Sequence, residues 1–522
     1  MAATNGRSNK RSINLALVCG DGLPVSGLLT TFRNVIDMIT QTPSCPPLVN
    51  SPIATDLGYS WRPDKAAFFP HGPKETFYPS WLSVTAATPV SYKDYGEELL
   101  RIRREVALPD LLDREQRIEL YERIEAIAIP YQRHFETWFE ENDIDWVCAV
   151  NMTLSDAVPV TTALYRAAEK RWEGGRAGGI LFWDHDLLSS YAVHEKNERV
   201  YPLLPNEFTF VPQAVPWHIW AIVSDVLLPE TLLYPTSLRP LVVPNLLPLL
   251  LKQDFSIHSS SLVSKFLSDL EVLDGVREGR AILLCPNRQF RVKGIEISIE
   301  VMAAIKDISI KRGLPVPYLF IFGDPEEDPE YAAELRILSH ELGLTDDIRF
   351  LGGVPLCSEV NGTRAMLDEK DLLRLATVTN GGIIYTPNKA DVESVGLGPA
   401  LASIAGIPCL VSKFNALDQV YGDGLNVIRL DLSSRGGFEA AAKAFVEWMV
   451  ASKLEPGSGS RSQRGTWSEM AQQNRDLMKK KFPRMPWKNL LLRLAAQGGV
   501  RPDLISEAER ALGIVNEISP RM

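Results

Sequence analysis

The stretch of sequence that decides the fold is AILLCPNRQFRVKG, residues 281–294. Its first five residues are apolar and predict a buried strand, and a segment with helical periodicity follows at residues 294–311. Three cations, Arg288, Arg291 and Lys293, stand between the strand and the helix. Positive charge at the start of a helix is unfavourable unless an anion neutralises it, so these cations predict a phosphate site. A solvated basic loop is the alternative.

Strand-like runs alternate with helical segments on both sides of this junction, which is typical of a parallel α/β sheet. The helices are clearest at residues 28–40, 155–170 and 294–311. The sequence therefore predicts the α/β class, with two doubly wound, Rossmann-like halves divided near residues 245–275. The predicted strands lie at residues 13–19, 145–150, 179–183, 281–285, 318–322, 348–351, 382–385 and 408–411.

This division predicts three regions of the chain. An N-terminal Rossmann-like domain occupies residues 1–250 and contains an insertion at residues 51–140. A C-terminal Rossmann-like domain occupies residues 251–450, and a linker with C-terminal helices makes up residues 451–522. The Pro-rich segment 228–251 would connect the two domains.

The predicted insertion has two parts. Residues 51–90 interleave aromatic residues with Pro and Gly, and residues 90–140 are highly charged with helical periodicity. The aromatic residues either bind a substrate or form a core of the insertion itself, because aromatic side chains mostly pack. They are Phe68, Phe69, Phe77, Tyr78 and Trp81.

The composition limits the classes of function. The 522 residues are 45% hydrophobic and 23% charged, which is typical of a globular protein, and the net charge is −10. An acidic chain without a basic stripe is a poor partner for nucleic acid. No run resembles the roughly 20 apolar residues of a membrane span, and the N-terminal apolar run reads as a strand rather than a signal peptide.

The six cysteines are widely spread and contain no CxxC pair, which argues against a zinc site. Four of them lie in apolar, strand-like runs, as expected of buried, reduced thiols in the cytoplasm. We therefore predict a cytoplasmic protein without a bound metal or cofactor, and a homo-oligomer remains an open alternative. The four are Cys19, Cys148, Cys285 and Cys409.

Two strand-to-helix junctions of the N-terminal half carry polar or glycine-rich segments. Residues 20–27, GDGLPVSG, follow the first strand but match neither GxGxxG nor a Walker loop. Asp184, His185 and Asp186 follow the strand at residues 179–183. His185 would donate a hydrogen bond to a substrate, and the two carboxylates would fix its tautomer, cap a helix or form a DxD metal motif.

A further junction lies in the C-terminal half at residues 387–399, PNKADVESVGLGP. Glu393 precedes a small-residue turn that opens a helix near residues 399–405. The backbone N–H groups of such a turn would meet a diphosphate while Glu393 accepts hydrogen bonds from hydroxyl groups. A carboxylate that only caps the helix is the alternative.

Residues 280–430, in order, resemble the C-terminal domain of retaining GT-B glycosyltransferases of the family 4 type. The Arg and the Lys-Gly of that family are matched by Arg288 and by Lys293-Gly294. The Gly-Asp that ends its next strand is matched by Gly323-Asp324, and its EGFGL is matched by ESVGL at residues 393–397. Further similar segments lie at residues 342–344, 348–352, 405–408 and 421–426.

The resemblance implies a GT-B fold, in which an N-terminal acceptor domain and a C-terminal donor domain face a cleft. It implies metal-independent transfer of a sugar from a nucleotide diphosphate sugar to a small-molecule or glycan acceptor, with retention of configuration. Arg288 and Lys293 would stabilise the leaving diphosphate, which Gly27 would approach. His185 would contact the transferred sugar and Glu393 its hydroxyl groups. The donor would also contact Val395, Gly396 and Leu397.

One position departs from the pattern of the family. A second Glu, which holds the nucleotide ribose, usually lies eight residues after the first, and here that position is Leu401. Gly398 and Pro399 differ from the pattern as well. The alternatives are therefore a non-catalytic GT-B protein, an unusual donor, or another GT-B reaction such as epimerisation, phosphorolysis or pseudo-glycosyl coupling.

Overall fold

The structure is a computed structural model with two parallel sheets, each covered by helices. The predicted division of the chain into two parallel α/β halves is confirmed. The structure describes residues 10–20, 26–58, 61–62, 78–85, 95–189, 194–195, 198–199, 201–250, 260–361, 364–389, 393–434, 436–453 and 461–514.

The first sheet has seven strands in the order β3-β2-β1-β4-β5-β8-β9, and every neighbouring pair is parallel. Its central strands are buried throughout, as their continuously apolar sequences predict. The strands are β1 Leu15–Cys19, β2 Ile53–Asp56, β3 Leu82–Val84, β4 Trp146–Val150, β5 Gly179–Asp184, β8 His218–Ile222 and β9 Leu241–Val242, and β6 His194–Glu195 pairs with β7 Glu198–Arg199 outside the sheet. The helices are α1 Gly27–Thr40, α2 Tyr95–Ala107, α3 Arg114–Glu141, α4 Val158–Trp172 and α5 Leu228–Thr231.

The second sheet has six strands in the order β12-β11-β10-β15-β16-β17, again with parallel neighbours. The strands are β10 Ile282–Cys285, β11 Tyr318–Ile321, β12 Ile348–Phe350, β15 Gly382–Tyr385, β16 Cys409–Ser412 and β17 Ile428–Leu430, and β13 Glu359–Asn361 pairs with β14 Arg364–Met366 outside the sheet. The helices are α6 Ser261–Asp269, α7 Leu273–Arg277, α8 Ile295–Lys311, α9 Pro329–Glu341, α10 Glu369–Val378, α11 Gly398–Ala405, α12 Gly437–Lys453, α13 Arg461–Lys481, α14 Met485–Gln497 and α15 Pro502–Ala511.

Two predicted boundaries need correction. Strands β2 and β3 lie inside residues 51–140 and extend the first sheet, so this range is not an insertion as a whole. The Pro-rich segment 228–251 is not only a connection, because it contains α5 and the edge strand β9. Short strands interrupted by Pro and Gly carry a weak periodic signal, which explains both errors. The predicted helical character of residues 90–140 is confirmed by α2 and α3.

The C-terminal helices contact both halves of the molecule. Helix α13 packs against α11 and α12 of the second half. Helix α14 returns to the first half, where Trp487 lies 4.7 Å from the ring of Trp183 and donates a hydrogen bond of 2.9 Å to the carbonyl of Pro244. Of the linker predicted at residues 454–466, residues 454–460 lie outside the described residues. Residues 461–466 belong to α13, so the prediction is wrong for this part.

Helix α1 of the first half also contacts the second half through charged groups. The buried guanidinium of Arg33 donates a hydrogen bond of 3.2 Å to the carbonyl of Leu356 and lies within 3.6 Å of Asp368 and Glu369. Because α1 begins at the carboxyl edge of the first sheet, this contact fixes that edge relative to the second half. The four cysteines predicted to be buried are buried, and all six are free thiols.

Candidate functional site

The two charged junctions of the second half meet where its strand order reverses. The chain leads from β10 to β11 on one side of the sheet and from β15 to β16 on the other side. Ligands of doubly wound sheets bind outside the carboxyl ends of the strands at such a point. Here the Lys293 ammonium donates a hydrogen bond of 2.7 Å to Glu393 Oε1. The two side chains are 24% and 11% exposed. The structure therefore brings two of the predicted site residues into direct contact.

A glycine makes this contact possible. Gly294, which follows Lys293, has a left-handed backbone with φ of +62°. A Cβ at this position would lie 2.0 Å from the carbonyl oxygen of Thr386, so a larger residue would push the two loops apart. The Lys-Gly pair thus supplies a cation and the close approach that positions it.

Arg288 lies at the same edge and is held by a carboxylate. Its Nε donates hydrogen bonds of 2.8 and 3.0 Å to the two oxygens of Glu327, and Nη2 also bonds to this carboxylate. The Glu327 side chain is fully buried, whereas that of Arg288 is 24% exposed. A paired guanidinium loses less rotamer freedom when it binds an anion, so the pair preorganises Arg288.

Arg291 behaves differently from the other two cations of its loop. It pairs with Glu334 of α9 at 2.7 and 2.8 Å, and 48% of its side chain is exposed. The sequence placed it with Arg288 and Lys293 at one phosphate site, and this part of the prediction is not supported. Glu330 and Glu334 of α9 lie 3.8 and 2.7 Å from the guanidinium of Arg291 and hold it at the surface of that helix.

Aromatic side chains support the loop that carries Glu393. The hydroxyl of Tyr385 lies beside the Glu393 carboxylate, and burial together with this negative charge holds the pKa of Tyr385 well above its usual value. Gly396 has φ of +66° and its carbonyl accepts a hydrogen bond of 2.7 Å from Tyr421. A Cβ at Gly396 would lie 2.5 Å from the ring of Phe414.

Val395 and Leu397, which were also predicted to contact the donor, lie directly before α11. Val395 is 4% exposed, so a ligand would meet its backbone rather than its side chain. Leu397 directly precedes Gly398, the first residue of α11, whose Cβ would lie 2.3 Å from Tyr385. Leu401 is 4% exposed and belongs to the hydrophobic core. The position of the family's second Glu therefore faces the interior of this protein.

His185 lies at the carboxyl edge of the first sheet, directly after β5. Its ring is buried 4.5 Å from the ring of Trp183, and its backbone N–H donates a hydrogen bond of 2.7 Å to Asn151 Oδ1. Within the described part of the chain, Nε2 has no hydrogen-bond partner. Burial lowers the pKa of His185 to about 3, so the ring is neutral at pH 7.

The carboxylates beside His185 have other roles. Asp184 is fully buried and accepts a hydrogen bond of 2.8 Å from Trp220, and burial raises its pKa to about 7. Asp186 accepts a hydrogen bond of 3.3 Å from Asn151 Nδ2. Both carboxylates thus brace the turn that carries His185. Among the described residues, no group of three His, Cys, Asp or Glu side chains is placed to hold a metal ion.

Further polar groups lie at the carboxyl ends of the neighbouring strands. The hydroxyl of Ser26, before α1, and that of Ser155, after β4, are buried and have no hydrogen-bond partner in the described structure. Gly27 is the first residue of α1, and a Cβ there would meet no atom within 4 Å. Residues 21–25 of the predicted glycine loop lie outside the described residues.

Helix α2 and the segment before it reach the same edge. Arg62 and Arg103 lie 3.2 and 3.5 Å from the carboxylate of Asp156, which follows β4, and Tyr201 donates a hydrogen bond of 2.6 Å to it. Of the predicted substrate-binding aromatics, Tyr78 is buried and Trp81 packs against Phe32. Phe68, Phe69 and Phe77 lie outside the described residues.

The chain between α13 and α14 joins the two edges. Phe482 packs 5.9 Å from Tyr421, which is bonded to Gly396 at the second edge, and Trp487 packs on Trp183 at the first. Five residues span at most about 18 Å of extended chain. The carboxyl edges of the two sheets therefore lie close to each other.

No family model and no curated protein sequence matches the chain. Solved structures are similar to it in fold. The N-terminal domain of Candida albicans trehalose-6-phosphate phosphatase is 10% identical, with 93% of this chain and 98% of that chain covered and a TM-score of 0.50. WaaG, a glycosyltransferase involved in lipopolysaccharide biosynthesis, is 14% identical, with 91% and 98% covered and a TM-score of 0.48. Anabaena Alr3699/HepE in complex with UDP-glucose is 12% identical, with 97% and 100% covered and a TM-score of 0.48.

The fold is GT-B. Two parallel α/β domains with adjacent carboxyl edges confirm the predicted architecture. The sequence did not indicate several supporting residues, because their roles depend on neighbours that are distant in the chain. These residues are Tyr385, Asn151, Glu327 and Tyr421. The sequence signal for Tyr385 and Asn151 was their position, since Tyr385 ends a strand and Asn151 follows one. Tyr421 begins the segment 421–426, which is similar to the glycosyltransferase pattern, but its contact with Gly396 was not predicted. No helix in the described ranges is long and apolar enough to cross a membrane.

Proposed function

We propose that this protein is a retaining, metal-independent glycosyltransferase that moves a sugar from a nucleotide diphosphate sugar to a small-molecule or glycan acceptor. The observation that carries the proposal is the contact of Lys293 with Glu393 at the point where the strand order of the second sheet reverses. A cation for phosphate and a carboxylate for sugar hydroxyl groups lie side by side there, with Arg288 on the same loop.

In the proposed reaction the bond between the anomeric carbon and the diphosphate oxygen breaks, and its electron pair stays on the diphosphate. The acceptor oxygen bonds to the anomeric carbon, and the proton of the acceptor hydroxyl passes to the departing diphosphate. Arg288 and Lys293 stabilise the developing negative charge. One such contact at about 4 Å contributes about 4 kcal/mol at an effective dielectric of about 20, before desolvation.

The first sheet supplies neutral groups for the sugar. Because the His185 ring is uncharged at pH 7, its Nε2 exchanges hydrogen bonds with hydroxyl groups without repelling the cations of the other domain. Gly27 leaves room for the diphosphate at the start of α1. The acceptor side is assigned to the segment around Arg62 and to α2, which converge on Asp156.

The burial of Leu401 favours a second candidate, a GT-B protein that binds an unusual donor or has no catalytic activity. A carboxylate for the nucleotide ribose is missing at this position. Under this alternative the site binds none of the common nucleoside diphosphates, or binds one of them without turning over the matching sugar donors.

The test is calorimetric titration of the purified protein with UDP, GDP, ADP and dTDP, with and without Mg²⁺. We expect metal-independent binding of one diphosphate and a loss of about 100-fold in affinity for Arg288→Ala/Lys293→Ala, because two charge-assisted contacts are removed. Arg291→Ala is the matched control, since this cation of the same loop pairs with α9 and its removal should leave the affinity unchanged.

Removing Arg288 takes away the guanidinium that pairs with the buried Glu327, which by itself destabilises a protein. Lys293→Ala alone therefore accompanies the double variant, and thermal unfolding checks that each variant is folded. Equal diphosphate binding by the folded double variant and the wild type would overturn the assignment of the donor site. Binding without sugar transfer, after a screen of donors and acceptors, would favour the non-catalytic alternative.

A further inference from the structure

The charged contact between α1 and the second domain contains a carboxylate that the proposed reaction does not use. Glu369 is the first residue of α10, and its side chain is 17% exposed. Arg33 Nη2 lies 3.5 Å from Glu369 Oε1, and Arg33 Nη1 lies 3.6 Å from Asp368 Oδ2. A buried guanidinium of the first domain therefore faces two carboxylates of the second domain.

Arg33 directs its hydrogen bonds to other groups. Its Nε and Nη2 donate to Asn34 Oδ1 at 3.3 and 3.0 Å, and its Nη1 donates to the carbonyl of Leu356 at 3.2 Å. Glu369 is thus attracted by the charge of Arg33 without a hydrogen bond from it. A buried charge is costly unless it is both paired and hydrogen-bonded, so this attraction offsets only part of the cost of burying the carboxylate.

Carboxylates outnumber cations in this cluster. Asp37 of α1 lies 3.9 Å from Arg33 Nε and 2.8 Å from the ammonium of Lys370. Three carboxylates therefore meet two cations within the described chain, namely Asp37, Asp368, Glu369, Arg33 and Lys370. One negative charge is left unbalanced when all three carboxylates are ionised.

The groups around the cluster supply no unbalanced positive charge among the described residues. Asp371 of α10 pairs with Arg374 at 2.8 Å, so these two charges balance. Burial and the nearby charges of Glu359 and Asp368 raise the pKa of the Cys357 thiol to about 11, so the thiol is neutral at pH 7. Burial also raises the pKa of Glu359. A proton on one carboxylate of the cluster would restore the balance.

Glu369 is the carboxylate best placed to take up this proton. Asp368 accepts a hydrogen bond of 2.9 Å from the backbone of α10, and Asp37 accepts one of 2.8 Å from Lys370. Within the described residues Glu369 accepts none, and burial raises its pKa to about 6 despite the charge of Arg33. An exposed Glu titrates near 4.3, so the contact binds the proton more tightly than an opened arrangement would.

The cluster lies beside the chain that joins the two domains. Asn34, the hydrogen-bond partner of Arg33, donates a hydrogen bond of 2.7 Å to the carbonyl of Leu246. Leu246 follows β9, the last strand of the first sheet along the chain. Interfaces between domains of one chain resemble transient interfaces between proteins. A change of charge at this point therefore bears on how the two domains are held together.

We propose that Glu369 is a proton-dependent latch between the two domains. Uptake of a proton by its carboxylate leaves two cations facing two carboxylates and strengthens the contact of α1 with α10. The strengthening is full below about pH 4.3 and is lost as the pH rises through about 6. The latch acts on the arrangement of the domains and does not depend on which reaction the protein catalyses.

Small-angle X-ray scattering of the full chain at pH 7.5 and pH 5 tests the latch. The ratio of the latched to the opened arrangement should rise about ninefold between these pH values, as follows from pKa values of about 6 in the contact and about 4.3 when exposed. The radius of gyration of the wild type should therefore be smaller at pH 5. Glu369→Gln, which keeps the shape of the side chain without its charge, should have the smaller radius at both pH values.

Glu119→Gln is the matched control, because it removes a charge from an exposed position of α3 and should keep the wild-type pH dependence. Size-exclusion chromatography in line with the scattering excludes association near the isoelectric point, and thermal unfolding checks the fold of each variant. An equal radius of the wild type at both pH values overturns the latch, as does a Glu369→Gln protein that keeps the wild-type pH dependence. No nucleotide is added, so these outcomes do not depend on the proposed transferase site.

Discussion

The two carboxyl edges of this protein hold their functional groups in opposite ways. The edge of the second sheet presents charges in pairs, with Lys293 bonded to Glu393 and Arg288 to Glu327, and the two cations are partly exposed. At the edge of the first sheet, His185 Nε2 and the hydroxyl of Ser26 are buried and have no partner within the described residues.

Under the proposed function, the difference indicates how the two domains would divide a substrate between them. Paired cations keep their geometry without a ligand, so the second domain presents a preformed site for a charged group. A buried polar group without a hydrogen bond costs about 1–3 kcal/mol, and a ligand that supplies the bond removes this cost. If the proposed function holds, the first domain should therefore gain stability from a ligand rich in hydroxyl groups, as a sugar site would.

The largest effect on stability is expected at Leu401. In the glycosyltransferase family that residues 280–430 resemble, this position is a Glu. Leu401→Glu would bury a carboxylate in the hydrophobic core and should lower the stability by at least about 3 kcal/mol. Thermal unfolding at pH 7.5 measures the loss, and Leu401→Met, which conserves the volume, should cost less than about 1.5 kcal/mol. An L401E protein with wild-type stability and tighter nucleotide binding would show that this side chain reaches the ligand.

The sequence predicted that Lys293 and Glu393 belong to one donor site but not that they contact each other, and their placement at one edge follows from topology. Lys293 and Glu393 are 100 residues apart, but each follows a strand of one doubly wound sheet, and loops of this kind meet where the strand order reverses. The continuous apolar runs predicted most strands of both sheets, and the predicted ends of these strands lie within one or two residues of the observed ends. Five strands were missed, namely β2, β3, β8, β9 and β17. Pro and Gly interrupt the segment that contains β2 and β3, and β9 lies in the Pro-rich segment 228–251.

Partners chosen by packing could not be predicted in this way. The loop that carries Arg288 and Lys293 gave no sign that Arg291 would pair with Glu334 of α9. The burial of His185 depends on Trp183 and on the return of α14 from the far end of the chain. Such contacts join segments that are far apart in the chain. No periodic pattern in the sequence predicts which of these segments will meet in the fold.

A middle-sized effect on stability is expected from the pH dependence of His185, which tests whether its buried ring is neutral. Its pKa is lowered to about 3 in the folded protein, whereas an unfolded histidine titrates near 6.5. Between pH 7.5 and pH 5 the unfolded chain therefore gains a proton that the folded protein does not take up. The contribution of His185 to stability should therefore fall by about 2 kcal/mol on acidification, whereas that of Asp184, whose folded pKa is raised to about 7, changes in the opposite direction.

Thermal unfolding of wild type and His185→Asn at both pH values measures this contribution. The variant should lose about 2 kcal/mol less than the wild type on acidification, whatever its stability at pH 7.5. His340→Asn, a change at an exposed position, should keep the wild-type pH dependence. If His185→Asn also keeps it, the ring is not a buried neutral group and the contrast between the two edges fails.

The smallest effect on stability is expected at Gly27, and this makes the residue a sensitive probe of the ligand. A Cβ there would meet no atom within 4 Å, so Gly27→Ala should leave the free protein unchanged or stabilise it by less than about 1 kcal/mol. Gly174→Ala, equally open at a turn after α4, is the control. If the first domain approaches the diphosphate through its backbone, Gly27→Ala alone should weaken nucleotide binding in calorimetry. If both variants bind the nucleotide as the wild type does, the phosphates are held by the second domain, and the first domain contributes only the groups around the sugar.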